Sequence, residues 1–291
     1  SRLHRSASAH MSRPAISIQN SGGWTFGSPS VLMMFHRQNG ALDRELAEMD
    51  ECMPHYYKIT RGHGQGAETI MAGEAALMRG RFADAHIALE RSYAQIEGNG
   101  QENMALCADF LALRLSLCVD TPLRYAPEQR RAALLGQHNI SWVNIFTAAC
   151  AYYYALLEDT AQIPELFAGH RLASVNFLAP GRPMMDLIEN QVYLAQGAWA
   201  KVIGRAPGLL AACGGLHYAL VALHINLQTA AAYAMLGKET DALALLHAAL
   251  ADAQPDGLVL PFVENFRYLK NLLQFSPKAA IWAGVRGGAL H

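Results

Sequence analysis

The sequence has little charge and no long uninterrupted apolar run. Only 16% of its 291 residues are Asp, Glu, Lys or Arg, whereas 52% are hydrophobic. A long disordered segment has the opposite balance, because it contains too little apolar surface to bury. No stretch of about 18 apolar residues is free of polar breaks, so we expect no membrane span. The composition therefore predicts one large folded domain or two ordinary ones.

Clusters of basic residues are also missing. The formal net charge is −1, and adjacent basic residues occur only as isolated pairs such as Arg130-Arg131. A domain that binds nucleic acid by itself usually carries a basic face. We therefore expect no direct contact between this chain and nucleic acid.

The cysteines show neither a disulfide framework nor a zinc-binding pattern. There are five of them, which is an odd number, and none forms a C-x-x-C pair: Cys52, Cys107, Cys118, Cys150 and Cys213. Such a pattern is typical of reduced thiols in the cytoplasm, which is where we expect the protein. Because Cys52, Cys107, Cys118 and Cys150 lie in helical patterns, we predict that they fill the core.

Motifs for catalysis and cofactor binding are absent as well. The sequence contains no P-loop, H-E-x-x-H or G-x-S-x-G, and no G-x-G-x-x-G that follows a strand. His217 and His224 are seven positions apart, but no third ligand stands at a suitable spacing, and a metal site normally needs three or four. We therefore predict no cofactor, no metal and no enzymatic activity.

What the sequence does contain is helical periodicity, which begins at Ser28. Residues 67–79 form one predicted helix and residues 82–97 a second, separated by Gly80, which can adopt the left-handed conformation that ends a helix. Small residues on the second helix let the two approach closely. The apolar stripe of this helix is formed by Ala85, Ala88, Leu89, Ser92 and Ile96.

The same helix–glycine–helix unit recurs later in the chain. Gly197 and Gly237 are 40 positions apart, and Gly80 and Gly197 are 117 apart, close to three such steps. This period predicts an all-α fold: an α-solenoid of antiparallel helix pairs, with the right-handed superhelix of tetratricopeptide (TPR) repeats. The residues that match the TPR pattern are Gly73, Gly80, Phe82, Ala85 and Leu89 in one unit, and Tyr233, Gly237, Ala242, Leu246, Ala249 and Pro255 in another.

Three segments follow from this pattern. Residues 1–27 are a predicted N-terminal linker or leader, residues 28–275 the repeat domain, and residues 276–291 a C-terminal linker toward a DNA-binding domain that is missing here. Within the domain, Pro54 is expected to kink or close its helix. Residues 168–183 form a predicted long loop that interrupts the helices.

Aromatic and amide side chains mark the candidate binding surface. Tyr152, Tyr153 and Tyr154 are consecutive on one predicted helix, so they point in different directions and cannot all be core. The first helices of a solenoid line its concave surface, where aromatic and amide groups make a good binding wall. The candidates for this groove are Trp142, Asn144, Tyr152, Tyr153, Asn190, Tyr193, His217, Tyr218 and Asn226.

Several short phrases resemble one family of regulators. They are WTFGSPSVL (residues 24–32), EMDECMP (48–54), GHG (62–64), IPEL (163–166), PDGL (255–258) and PFVEN (261–265). Together they resemble the middle region of large LuxR-type, maltose-regulator-like (MalT-like) transcription activators. The resemblance implies a sensor flanked by an ATP-binding module and a helix-turn-helix, whose parts have no counterpart in this sequence. It also implies that an inducer bound to the superhelix promotes self-association.

Three functional hypotheses remain after this survey. The first is a sensory and oligomerisation domain that binds a small inducer or a protein partner in its concave groove. The second is a stand-alone TPR scaffold, which would need a polar clamp along the groove. The third is an all-α enzyme with its site inside a helical toroid, which would need convergent acids.

Overall fold

The computed structural model describes residues 27–99 and 101–273, and this part of the chain is helical, without strands. The all-α prediction is therefore confirmed there. The predicted linkers at residues 1–27 and 276–291 lie outside the described residues, except for Gly27. Paired helices form a closed row around the short helix Leu260–Glu264, and this arrangement positions the candidate sites.

The described residues form 14 α-helices. The first seven are α1 Leu32–Phe35, α2 Leu42–Thr60, α3 Ala67–Met78, α4 Phe82–Asn99, α5 Glu102–Ser116, α6 Pro127–Gly136 and α7 Ile140–Leu156. The others are α8 Glu165–Ala168, α9 Arg182–Ala195, α10 Trp199–Leu216, α11 Ala219–Met235, α12 Glu239–Ala253, α13 Leu260–Glu264 and α14 Phe266–Leu273. The predicted loop at 168–183 contains only short 3₁₀ turns between α8 and α9.

Glycines end the first helix of three helix pairs, as predicted. Gly80, Gly197 and Gly237 have φ angles of 71°, 73° and 72°, a left-handed conformation that costs little without a Cβ atom. They separate α3 from α4, α9 from α10 and α11 from α12, and the helices of each pair pack together. Ala85 and Ala242, predicted to lie between paired helices, are both 0% exposed.

Pro54 does not close its helix, contrary to one of the two outcomes expected for it. Helix α2 continues past this proline to Thr60. A proline removes one backbone hydrogen bond, but it need not end a helix that tertiary contacts hold in place. Met49 and Met53 are buried and hold the middle of α2, which packs against α3.

The fold is organised around an inner row of helices. The row consists of α3, α5, α7, α9 and α11, and each of these helices packs against the next one. Helices α4, α6, α10 and α12 pack against the row as second members of pairs. The inner helices are therefore buried over most of their surface, whereas α10 and α12 bury only one side.

The two ends of the inner row are joined. Helix α1 packs against both α3 and α11, and so does α13. Backbone hydrogen bonds support this junction, because Val259 N–H donates to the Met78 carbonyl at 2.7 Å and Ala219 N–H donates to the His36 carbonyl at 3.2 Å. The C-terminal segment, defined as residues 258–273, thus lies against the row instead of extending away from it.

Candidate functional site

A buried ion pair lies at the centre of the helix row. Arg114 from α5 donates from Nε to Glu264 Oε1 at 2.8 Å and from Nη2 to Glu264 Oε2 at 3.0 Å. The two side chains are 1% and 3% exposed. Such two-pronged pairing suits the planar guanidinium and carboxylate groups. It ties the C-terminal segment to the inner row.

Aromatic rings complete the surroundings of this pair. The Arg114 guanidinium lies 5.4 Å from the centre of the Phe110 ring and 5.7 Å from that of Tyr152. The Tyr152 hydroxyl donates to Glu264 Oε2 at 2.8 Å. Burial, followed by the negative charge of Glu264, raises the pKa of Tyr152 well above its ordinary value, so this hydroxyl stays protonated as a donor.

His224 from α11 lies beside the ion pair but does not hydrogen-bond to it. Its Nδ1 atom is 3.9 Å from Glu264 Oε2, and neither ring nitrogen has a hydrogen-bond partner in the described structure. Burial, and secondarily the charge of Arg114, holds the pKa of His224 well below its ordinary value. The imidazole is therefore neutral at physiological pH.

A second buried carboxyl group, Glu74 of α3, faces α1. Its Oε2 atom accepts a hydrogen bond from Leu32 N–H at 2.7 Å, while Oε1 has no partner. Burial raises the pKa of Glu74 to about 7, although the Leu32 hydrogen bond and Arg114 act in the opposite direction. Glu74 therefore titrates near neutrality, at the junction that closes the row.

These groups form a polar centre that holds the fold together. Arg114, Tyr152, His224 and Glu264 come from α5, α7, α11 and α13, so four elements meet at one point. The centre of the inner row is filled by the C-terminal segment. The predicted groove residue Tyr152 therefore contacts this segment, where it was expected to face a ligand.

The nine predicted groove residues are distributed over separate environments. Tyr152 and Asn190 are completely buried, and neither amide atom of Asn190 has a hydrogen-bond partner. Tyr193 and Tyr218 are almost buried, and His217 is exposed at the end of α10. The other four are half-buried: Trp142, Asn144, Tyr153 and Asn226. The nine residues therefore lie in buried, half-buried and exposed environments.

Tyr193 takes part in a separate surface network. Its ring stacks on His170 with a centroid distance of 3.9 Å, and the Lys201 and Arg205 cations each lie 5.1 Å from the ring centre. Burial, followed by the nearby Glu189 carboxylate, raises the pKa of Tyr193. Arg205 is itself paired with Asp186 at 2.9 Å. The guanidinium of Arg205 is therefore paired with a carboxylate within the chain.

An open cleft lies between α1, α2 and α3, at a place that the sequence did not indicate. Its volume is about 620 Å³. Its apolar lining consists of Phe35, Met49, Cys52, Met53, Tyr56 and Met71, and its polar lining of Arg37, Gln38, Arg44, Glu45 and Glu48. A volume of this size and a mainly apolar lining are typical of small-molecule sites.

One sequence-based expectation changes in this cleft. Cys52 is exposed, so the prediction that it fills the core is wrong, because it lies on the open side of α2. Cys107, Cys150 and Cys213 are buried and form no disulfide within the described residues, and Cys118 is half-buried. The helical spacing of Met49 and Met53 was the available signal for this surface, but the same spacing is equally typical of ordinary core.

His36 links the cleft to Asp256, which lies two residues before the C-terminal segment. Its Nδ1 atom is 2.6 Å from Glu45 Oε2, and its Nε2 atom is 3.4 Å from Asp256 Oδ2. The Asp256 carboxylate also accepts from Gly40 N–H at 2.5 Å and from Leu42 N–H at 2.9 Å, so it satisfies amides at the start of α2. The side chain of Glu45 thus lines the cleft and contacts His36, which leads to Asp256, two residues before the C-terminal segment.

Within residues 27–99 and 101–273, no group of three or more His, Cys, Asp and Glu side chains is arranged to hold a metal ion. No helix in the same part of the chain is both long and apolar enough to cross a membrane. In comparisons with known proteins, no family model matches the sequence, and neither a curated protein nor a solved structure shows significant similarity to it.

Proposed function

We propose that this chain is the sensor domain of a LuxR-type, MalT-like transcription regulator, with the helix pairs forming a TPR-like superhelix that closes on itself. The motif resemblance supports the family, and the glycine-separated pairs with Ala85 and Ala242 at their interfaces support the repeat. In this proposal the chain binds a small inducer in the cytoplasm. It carries no catalytic activity of its own.

One observation carries the sensing proposal. The C-terminal segment covers the inner helices through Glu264, and it is connected to an open cleft through Asp256, His36 and Glu45. A ligand can shift a conformational equilibrium only if it binds the two states with different affinity. Glu45 lines the cleft and contacts His36, which in turn contacts Asp256 two residues before the C-terminal segment. In this proposal a bound ligand favours one position of the segment, and movement of the segment passes the signal to whatever follows it.

A thermal-shift screen of the chain against sugars, aromatic acids, fatty acids and nucleotides tests the sensing function. A ligand at about 100 times its Kd stabilises the folded state by roughly 2.7 kcal/mol, which raises Tm by a few degrees. We expect a saturable shift from one chemical class. No shift across the panel would contradict small-molecule sensing and favour a protein partner.

The regulator assignment needs a separate test. The reading frame of the source gene should encode an ATP-binding module and a helix-turn-helix on either side of this chain. A frame without both modules would exclude the regulator and leave the stand-alone scaffold. That second hypothesis has less support, because the inner surface on which a peptide would dock is covered by the C-terminal segment.

A further inference from the structure

The open cleft between α1, α2 and α3 combines an apolar floor with a cation that lacks an acidic partner. We propose that it binds a small amphipathic carboxylate, with the apolar body on the methionines and the carboxylate at Arg37. This inference deepens the proposed sensing function and rests on it, since it names the site and the class of ligand.

The floor of the cleft is suited to an apolar body. Met49, Met53 and Met71 come from two helices and are 9%, 3% and 1% exposed. Methionine side chains are flexible and polarisable, so they adapt to ligands of different shape. Phe35 and Tyr56 add aromatic surface to the lining. The floor therefore fits an alkyl chain or a small ring, because its methionine side chains offer the hydroxyl groups of a sugar no strong hydrogen-bond partner.

Of the two arginines that line the cleft, only Arg44 has a carboxylate partner among the described residues. Arg44 is paired with Glu48, with 3.6 Å between Nε and Oε1. Both carboxylate oxygens of Glu45 already have partners. Oε2 contacts His36 Nδ1 at 2.6 Å, and Oε1 accepts a hydrogen bond from the backbone N–H of Arg37 at 2.9 Å.

Arg37 is exposed, and no carboxylate of the described residues lies within ion-pair distance of its guanidinium. A guanidinium group presents a fork of donors that matches a carboxylate. An anionic head group is therefore the complement of Arg37.

The same residues connect the ligand to the C-terminal segment. Glu45 lies next to the proposed head-group position, and it holds His36 against Asp256. A carboxylate bound at Arg37 would come close to Glu45 and change the balance of charge around His36. The ligand would therefore lie close to the contact between His36 and Asp256, two residues before the C-terminal segment.

The test uses two matched pairs of probes: octanoate with 1-octanol, and 4-phenylbutyrate with 4-phenyl-1-butanol. Each probe is titrated into the 291-residue chain by isothermal calorimetry. We expect each carboxylate to bind about tenfold more tightly than its alcohol, as a hydrogen bond to a charged group would provide. Equal affinity of acid and alcohol, or no binding to the folded chain, would overturn the inference.

Cys52 supplies a reporter that is specific to this cleft, because it is the exposed cysteine among the described ones. The rate at which N-ethylmaleimide alkylates Cys52 is followed by mass spectrometry of the digested chain. Saturating octanoate should slow alkylation of Cys52 and leave that of the half-buried Cys118 unchanged. An unchanged rate at Cys52 would place any bound octanoate elsewhere and contradict the assignment.

Arg37→Gln should remove the tenfold preference for the carboxylates and leave binding of the alcohols unchanged. Arg44→Gln is the matched control, since Arg44 lines the same cleft but is already paired with Glu48. Both side chains are exposed, so both variants are expected to fold, which circular dichroism checks. A preference that survives Arg37→Gln, or that Arg44→Gln removes equally, would overturn the role of Arg37.

The outcomes also separate this inference from the sensing function. Hydrogen exchange of residues 258–273 is measured with and without octanoate. Protection of Cys52 without any change in exchange would support the cleft and contradict the coupling. A metabolite that stabilises the chain equally in the parent protein and in Arg37→Gln would support sensing and contradict this site.

Discussion

The polar centre and the open cleft use similar residue types for opposite purposes. In the centre, Arg114 and Glu264 are at most 3% exposed, and each satisfies the other within the chain. In the cleft, Arg37 is exposed and has no acidic partner among the described residues. A charge that is already satisfied holds a fold together, whereas an unsatisfied charge beside an apolar floor remains available to a ligand. Residue type alone does not distinguish these roles.

The largest effect is expected from breaking the central ion pair. Arg114→Met should destabilise the chain by about 3–5 kcal/mol, because it leaves Glu264 as an unpaired buried charge. Urea unfolding measures the change. Arg44→Met, in an ion pair whose partners are both 64% exposed, should cost less than about 1 kcal/mol. Equal effects of the two variants would contradict the burial of the ion pair between Arg114 and Glu264.

The double variant Arg114→Met with Glu264→Leu sharpens this prediction. Removal of both charges should restore much of the lost stability, since neither partner is left unpaired. The double variant should also loosen the C-terminal segment less than the single one does, as measured by hydrogen exchange of residues 258–273. A double variant as unstable as Arg114→Met alone would show that charge pairing is not the cause.

A pH-dependent effect of roughly 3 kcal/mol is expected at Glu74. Its pKa is raised from an ordinary 4.5 to about 7, so between these values the folded state binds a proton that the unfolded state does not. The stability that Glu74 contributes is therefore fully present below about pH 4.5 and is lost as the pH rises through 7.

Glu74→Gln should remove this loss. The free energy of unfolding of the variant, measured in urea, should therefore rise relative to that of the parent protein as the pH rises from 5 to 8. Glu90→Gln, on the exposed side of α4, is the control and should leave the pH curve unchanged. A constant difference between Glu74→Gln and the parent protein at all pH values would contradict the raised pKa.

An intermediate effect is expected where paired helices touch. Ala242→Phe should overpack the contact between α11 and α12 and cost about 1–3 kcal/mol. Ala248→Phe, on the exposed side of the same helix, is the matched control and should stay within about 0.5 kcal/mol. Thermal unfolding that is equally unchanged in both variants would contradict the helix pairing.

The smallest effect on stability is expected in the cleft. Arg37→Gln should change the free energy of unfolding by no more than about 0.5 kcal/mol, because the side chain is exposed and has no ion-pair partner in the described structure. The difference in free energy of unfolding between Arg37→Gln and Arg114→Met measures how differently the cleft and the polar centre contribute to stability. A cost of several kcal/mol would mean that Arg37 is a structural residue.

Local patterns in the sequence predicted most of the helices. The apolar stripe from Ala85 to Ile96 predicted one helix, and the glycines at 80, 197 and 237 predicted where three helices end. Both signals can be found in the sequence because periodicity and left-handed glycines act over a few residues. Several short elements were not predicted, including α13. A helix of five residues is too short to show a period, so its position depends on the neighbours that it contacts.

The candidate site was much less predictable. Tyr152 was expected on an open wall because three successive tyrosines cannot all face a core formed on one side of a helix. The structure places Tyr152 toward the C-terminal segment and leaves Tyr153 and Tyr154 half-buried. A run of charged residues on a helix is typical of a solvated face, yet Glu45 of α2 contacts a buried histidine that stands nine positions earlier.

The sequence by itself determined the all-α class, the helix pairs and the small residues between them, because these features depend on contacts within about 40 positions. Only the tertiary structure decided that Arg114 meets Glu264 150 positions later, and that His36 meets Asp256. These contacts depend on how the inner row closes around the C-terminal segment. No local pattern carries that information, because a charged residue is equally compatible with a solvated surface, a buried pair or a binding site until its neighbours are known.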